Sequence, residues 1–391
     1  VIRKLRYLNW NILIPYIILV ITGVVLVYST SSYILLINGF NPATYGMKQA
    51  MYAVMAFVIG AFIFSLKLNV FKNKKTIMWA LVISLALLGF LVILKIFKGE
   101  AAAVNGAVGW INLGFMNLQP VEVAKLGLVL YLAFVLDKRD GTLISGQIWE
   151  NLMHPLILTG LMMMLVIVEP DFGGTAILFL IAFVMVLVSG IPTKIALKML
   201  LALALFVIGG FCLIIWWNPK FLQEKYQFQR LLAFLHPFKL EKDAGAQLVN
   251  SYYAIHNGGL FGVGLGNSMQ KKGYLPEPYT DFILSVTAEE IGVVGAIIIL
   301  FVLFYLMWQI MEVGVHAESQ FNALVCYGIM TIILSETVFN VGALLGLLPI
   351  TGVTLPFISY GGSSMIILTI CIGLVLNISA NEKIRKIAKE G

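Results

Sequence analysis

The sequence predicts an all-α polytopic membrane protein of about ten transmembrane helices, with one long extracytoplasmic loop between helices seven and eight. Three observations carry that expectation. Of 391 residues, 60% are hydrophobic and only 12% are Asp, Glu, Lys or Arg, about half the charged share of an ordinary soluble domain. The apolar residues come in long blocks instead of alternating with polar ones, and the blocks approach the roughly 20 residues that cross a bilayer core. The charges collect between blocks. A water-soluble globular enzyme is thereby excluded, because 26 basic and 19 acidic side chains cannot cover so long a chain.

Taken in order, the spans fall near 12–32, 47–66, 77–96, 121–136, 154–169, 173–190, 199–217, 282–308, 321–345 and 360–380. The first follows the basic start Arg3, Lys4, Arg6 without a small-residue cleavage site behind a short core, so it reads as a retained anchor. Only Glu169-Pro170-Asp171-Phe172-Gly173-Gly174 separates the fifth from the sixth, and its proline and paired glycines punctuate a tight re-entry. The seventh and eighth are separated by the loop 218–281, which includes the glycine-rich run from Gly258 to Gly266. A loop of that length must fold onto the bundle or serve function. No internal repeat at a fixed period and no convincing pair of broken helices is visible, and residues 1–391 read as a single transmembrane domain.

Lysine and arginine orient the chain. One set of short loops and both ends carry Arg3, Lys4, Arg6, Lys67, Lys72, Lys74, Lys75, Lys138, Arg139, Lys194, Lys198, Lys383, Arg385, Lys386 and Lys389; the opposite short loops carry Lys48, Lys95 and Lys98. That bias puts both termini in the cytoplasm. The same distribution explains the formal charge of +7 without nucleic acid as a partner. Cys212, Cys326 and Cys371 lie inside apolar blocks with no C-x-x-C spacing, which argues against both a disulfide framework and a zinc site.

Ionisable groups inside spans cost a few kcal/mol each on insertion scales, so each needs a partner or a purpose. Glu122 and Lys125 share a helix face at i,i+3, either as a self-neutralised structural pair or as a cavity wall whose ammonium meets an anionic substrate. Glu169 and Asp171 flank Pro170, and an Asp near a helix start favours capping. Glu336 and Asn340 form a second intramembrane polar face suited to holding helices together. Asp281, at the end of the long loop, is by local chemistry a helix N-cap. The competing role is a carboxylate at the water–lipid boundary that serves as general base or binds a divalent cation, Mg2+ or Mn2+. A helix N-terminus lowers a carboxyl pKa while a base working near neutrality wants it raised, so burial would have to compensate. On a straight helix Glu289 lies about 80° around and roughly 12 Å along from Asp281. Glu289 and Glu290 are therefore expected to pair with a distant base such as Lys125. No G-x-S-x-G, Walker A or H-E-x-x-H pattern occurs, and the histidines form no triad.

The last third carries the most specific pattern. Asn340 followed by Gly346-Leu347-Leu348-Pro349-Ile350-Thr351-Gly352-Val353-Thr354-Leu355-Pro356-Phe357-Ile358-Ser359-Tyr360-Gly361-Gly362-Ser363-Ser364 resembles the signature of the SEDS family (shape, elongation, division and sporulation), which includes the FtsW, RodA and SpoVE proteins. Gln119-Pro120-x-Glu122-x-Ala124-Lys125, Glu169-Pro170-Asp171-x-Gly173 and Leu275-Pro276-Glu277-x-x-Thr280-Asp281-Phe282 look like further family blocks in family order. The resemblance implies a peptidoglycan glycosyltransferase that polymerises lipid II in the cell membrane with a class B penicillin-binding protein and division-complex proteins, and it makes Asp281 the candidate catalytic carboxylate. Lys-x-x-Tyr-Leu-Pro-Glu ahead of Thr280 and Ala288-Glu289-Glu290 after it look closer to the cell-division branch, at the septum, than to the elongation branch. Two blocks depart from the pattern: Tyr279 stands where the family usually has His, and His256-Asn257 precede the paired glycines where Gly-Ser is commoner.

Under that reading Lys125, Glu122, Arg230, Lys271 and Lys272 are candidates to meet the substrate and its diphosphate, as are Pro356, Ser359, Gly361 and Gly362 of the signature. Two readings of other classes remain: a transporter that moves lipid II across the bilayer, and a scaffold without chemistry.

Overall fold

The computed structural model describes residues 2–98, 109–139, 148–217, 226–241 and 245–390. In chain order the helices are α1 (Ile2–Leu5), α2 (Trp10–Ile37), α3 (Thr44–Ser65), α4 (Leu68–Lys72), α5 (Lys74–Lys98), α6 (Pro120–Asp137), α7 (Ile148–Val168), α8 (Phe172–Leu187), α9 (Thr193–Trp217), α10 (Tyr226–Leu235), α11 (Ala246–Gly258), α12 (Ile283–Val315), α13 (Gln320–Leu344) and α14 (Gly362–Glu390). A two-residue antiparallel ladder, β1 (Ile111–Asn112) with β2 (Asn117–Leu118), precedes α6.

Each predicted span falls on one helix: α2, α3, α5, α6, α7, α8, α9, α12, α13 and α14. Among the described residues seven are long and apolar enough to cross a membrane by length and composition alone; α8 and the described part of α7 are shorter apolar helices. The ionisable residues Glu122, Lys125 and Asp137 lower the hydropathy of α6. The chain is a multi-pass membrane protein. Asn9 donates to Ser379 and Lys389 pairs with Glu318, which gathers both chain ends at one end of the bundle.

Burial is uneven. In α14, 89% of the most apolar window is covered by other helices, whereas in α9 none is. α14 owes its central place to small residues that let backbones meet: a side chain at Gly373 would run into the backbone of Gly60 on α3.

The long loop is ordered by the bundle. α11 lies along α12, and the glycine-rich turn after it reaches a break in α12 at Gly292, whose φ of 78° and ψ of 170° no helix accommodates. The break frees backbone groups, and the turn satisfies them. Val263 and Gly264 donate to the carbonyls of Glu289 and Glu290 (both 2.9 Å), and Val293 and Val294 donate to Gly259 and Leu260 (3.0 and 3.2 Å). Gly292 is nine residues into α12, about 14 Å along it. The loop therefore re-enters the bundle to that depth, with Leu260, Phe261 and Leu265 exposed on its outer surface. The break is not legible in the sequence: a single glycine leaves hydropathy unchanged, and the groups that rescue the backbone lie some thirty residues away.

Candidate active site

Asp171 caps α8 as predicted, accepting from Gly174 N at 2.7 Å. Asp281 does not cap α12. The helix starts at Ile283, its cap position is Phe282, and no side chain bonds there. Tertiary donors have claimed the segment instead. Three consecutive carbonyls each accept one hydrogen bond from the last third of the chain: Tyr279 O from Tyr360 N (2.9 Å), Thr280 O from Ser359 Oγ (2.7 Å) and Asp281 O from Asn340 Nδ2 (2.8 Å). Asn340 also donates to Val353 O (2.9 Å), and Ser359 Oγ accepts from Leu355 N (2.9 Å). The signature 346–361 is irregular backbone inside a bundle, tolerable only where protein satisfies it, and the same few side chains that satisfy it pin Asp281.

The Asp281 carboxylate faces Arg230 across Gly352. A side chain at Gly352 would begin 3.5 Å from Arg230 Nη1 and 3.6 Å from Asp281 Oδ2, in contact with both, and the φ of 77° there favours glycine. Arg230 donates to Ile350 O at 3.3 Å. Enclosure by protein pushes the Asp281 pKa up to about 6; Arg230 opposes the rise and Glu277 adds to it. This resolves the tension between an N-cap and a general base, since the carboxylate is off the helix end and its pKa is raised by burial.

A chain of ionisable groups runs inward from there. Asp171 feels Lys125, Glu122 and Arg230, and burial raises its pKa. Lys125 pairs with Glu122 at 2.8 Å and with Glu336 on α13. The predicted i,i+3 pair is thus a buried triad, with Glu336 joining the face that sequence assigned to helix–helix contact. Beside Asp171, burial lifts Glu169 to about 8, helped by Asp171 and opposed by Lys95. Buried oxygens of Glu169, Glu336, Asn340 and Thr351 have no hydrogen-bond partner among the described residues, so this lining is polar and underfilled in its bonding capacity.

The other candidates are dispersed. Lys271 is buried, and its ammonium meets Glu290 Oε1 at 2.6 Å and Ser29 O at 3.0 Å, while Ser29 Oγ donates to Glu290 Oε2 at 2.6 Å. Glu289 accepts from Ser268 Oγ, Met269 N and Gln270 N. Lys125 therefore pairs with neither glutamate, and that expectation is corrected: the re-entrant turn delivers its own lysine to the break. Lys272 is exposed, with Met269 Sδ its contact at 3.5 Å. Pro356 is buried in the signature loop. Gly361 N donates to Gln49 Oε1 (3.3 Å), and Gly362 starts α14 against the ring of Tyr52. Gln49, fully buried, also donates to Ser359 O at 3.1 Å. Sequence reasoning passed over it; an uncharged amide in an apolar span was the available signal.

The Cell cycle protein family model (FtsW, RodA and SpoVE) matches residues 9–384. This chain belongs to that family. Among its relatives, the probable peptidoglycan glycosyltransferase FtsW of Lactococcus lactis subsp. lactis (strain IL1403) is 40% identical over 408 residues, covering 99% of this chain and 96% of the relative. The Bacillus subtilis (strain 168) protein of the same name is 34% identical over 384 residues, covering 96% and 92%. A solved peptidoglycan synthase complex that coordinates polymerization and crosslinking contains a chain similar to this one, with TM-score 0.73, 28% identity and coverage of 96% and 98%. The rod shape determining protein RodA of Thermus thermophilus aligns at TM-score 0.61 and 25% identity, covering 96% and 97%. The SEDS resemblance read from the signature is thus upheld over nearly the whole chain.

Proposed function

We propose that this SEDS protein is a peptidoglycan glycosyltransferase that polymerises lipid II into glycan strands for septal wall synthesis, with Asp281 as general base. The observation that carries the mechanism is the Asp281–Arg230 pair around Gly352, at the bundle end that holds the long loop. The acceptor hydroxyl attacks the anomeric carbon of the lipid-linked sugar. One C–O bond forms, the C–O bond to the diphosphate breaks, and the hydroxyl proton passes to the Asp281 carboxylate. A single displacement inverts the anomeric centre. A carboxylate poised near pH 6 is ionised at neutral pH and still basic enough for the task. Arg230 supplies positive charge for the departing diphosphate, whose charge develops in the transition state.

Lys125 is already neutralised by two carboxylates, so its part is to hold the polar wall. Among the described residues no three His, Cys, Asp or Glu are placed to hold a metal ion. Mg2+ or Mn2+ needs only one or two carboxylates when water and phosphate oxygens complete its shell. Asp281 and Glu277, which act on each other electrostatically, would supply those carboxylates, and the ion would add charge for the leaving group.

The Lys and Arg distribution supports cytoplasmic termini, which puts Asp281 on the extracytoplasmic side, where the sugar meets water while the lipid tail stays in the bilayer. A class B penicillin-binding protein and division-complex proteins are the proposed partners. Purified protein with its transpeptidase partner, given labelled lipid II, is expected to make glycan strands, and Asp281→Asn is expected to lose at least a hundredfold in rate. No polymer from wild type, under conditions where a known polymerase works, refutes the enzyme. Translocation of lipid II in sealed vesicles without polymer would establish the transporter instead.

A further inference from the structure

Three tyrosines from distant parts of the chain meet beside Asp281. Tyr45 opens α3, Tyr279 precedes Asp281 by two residues, and Tyr360 ends the signature loop. Tyr45 and Tyr360 stack with centroids 4.9 Å apart and planes 24° apart. Tyr279 lies 5.0 Å from Tyr45 and stands edge-on to Tyr360 at 5.9 Å. A packing knot of this kind belongs in a core, where aromatic residues are ordinarily covered. These three are each half-buried, whereas their neighbour Tyr52 is 4% exposed and bonded to Phe115 O at 3.1 Å.

Their setting is polar at one edge. The Tyr279 phenol is close enough to Tyr45 and to the Glu277 carboxylate to feel both electrostatically, and Glu277 accepts from Thr280 Oγ1 at 3.3 Å. The cluster is rigid as well, because Tyr360 N donates to Tyr279 O. The result is a fixed, partly open aromatic surface with a carboxylate and phenols along its margin, two residues from the candidate base. A pyranose ring matches both parts: its C–H face is apolar and flat, and its equatorial hydroxyls need acceptors and donors at the rim. Binding sites of this composition use aromatic area for contact and a few polar groups for orientation.

We propose that Tyr45, Tyr279 and Tyr360, with Glu277 at their edge, form a saccharide-binding subsite that seats a pyranose ring of the glycan against Asp281. The subsite rests on the glycosyltransferase reading. Its ligand is the sugar itself, from either the growing strand or the lipid-linked monomer.

The test uses the full chain with its partner in detergent. Saturation-transfer NMR with a soluble N-acetylglucosamine oligosaccharide, lacking lipid and diphosphate, is run on Asp281→Asn so that no turnover intervenes. It is expected to show transfer to sugar C–H protons, at least fivefold weaker with Tyr45→Leu added and reduced by less than that with Tyr45→Phe. In the active protein Tyr45→Leu should raise KM for lipid II or for the acceptor strand about tenfold and leave kcat within twofold; the substrate whose KM moves identifies which sugar occupies the subsite. Tyr45→Phe, which keeps the ring and loses one rim hydroxyl, should raise the same KM by less than Tyr45→Leu does, about two- to threefold. If Tyr45→Leu and Tyr360→Leu fold, yet neither saccharide binding nor either KM changes, the subsite is refuted. It is equally refuted if kcat alone falls. Oligosaccharide bound at the tyrosines of a wild-type protein that makes no polymer would instead refute the enzyme and leave the subsite standing.

Discussion

Lys125 and Lys271 are both 2% exposed, and both neutralise glutamates inside the bundle, yet they are built for different work. Lys271 closes its site. One carboxylate, one serine hydroxyl and one carbonyl meet it, every oxygen of Glu290 is bonded, and the charges cancel. Lys125 leaves its site open. It faces two carboxylates, Glu336 keeps a buried oxygen without a partner, and the next groups outward are Asp171 and Arg230. A closed pair fastens the re-entrant turn to α12 and α2. The open triad lies inward of Asp171, which feels both Lys125 and Arg230, and Arg230 in turn acts on Asp281. Burial alone does not separate the two lysines; the completeness of their partners does.

Breaking the closed site should have the largest effect. Lys271→Met strands Glu290 in an apolar setting, and removing one partner of a buried pair costs about 3–5 kcal/mol. The melting point in detergent should fall sharply, and adding Glu290→Met should recover most of the loss. Lys125→Met is expected to cost less, about 1–2 kcal/mol, because two adjacent carboxylates can share a proton. Its polymerisation rate should nonetheless fall at least tenfold with the same thermal assay as control, a split that Lys271→Met does not show once rescued.

The pH profile is a smaller and sharper probe. As the proposed base, Asp281 acts as a carboxylate with its pKa raised to about 6, so kcat/KM should fall about tenfold per pH unit below 6. Stability runs the other way. The raised value means the fold holds this proton more tightly than the unfolded chain, so stability is lost as pH climbs from about 4 to 6. Asp281→Asn removes that loss and should melt a degree or more above wild type at neutral pH. The smallest effect is expected at Lys272, exposed and distant from any carboxylate contact: Lys272→Ala should stay within about 0.5 kcal/mol of wild type and polymerise normally.

What the sequence disclosed and what it hid divide by distance along the chain. Spans, the Asp171 cap and the Glu122–Lys125 pair depend on neighbours within four residues, and periodicity reaches that far. Glu336 completes the triad from 211 residues away, and Asn340, Ser359 and Tyr360 take Asp281 away from its local role. The cap rule was sound for an isolated helix start, and it failed because stronger tertiary donors fixed the preceding backbone. Lys271 was visible as a positive charge in a loop, but nothing in composition says that a loop descends to a helix break.

The break at Gly292 has a consequence for how the protein is made. Unsatisfied backbone groups in hydrocarbon cost several kcal/mol each, and α12 also carries Glu289 and Glu290 at that point. Released alone into lipid it would be a poor insertion substrate. Its complement, residues 259–271, is synthesised just before it, and both are joined by the short stretch that holds Asp281. The emerging helix thus meets its mate at high local concentration, so insertion of the eighth span and assembly of the loop that carries Asp281 become one step in biogenesis.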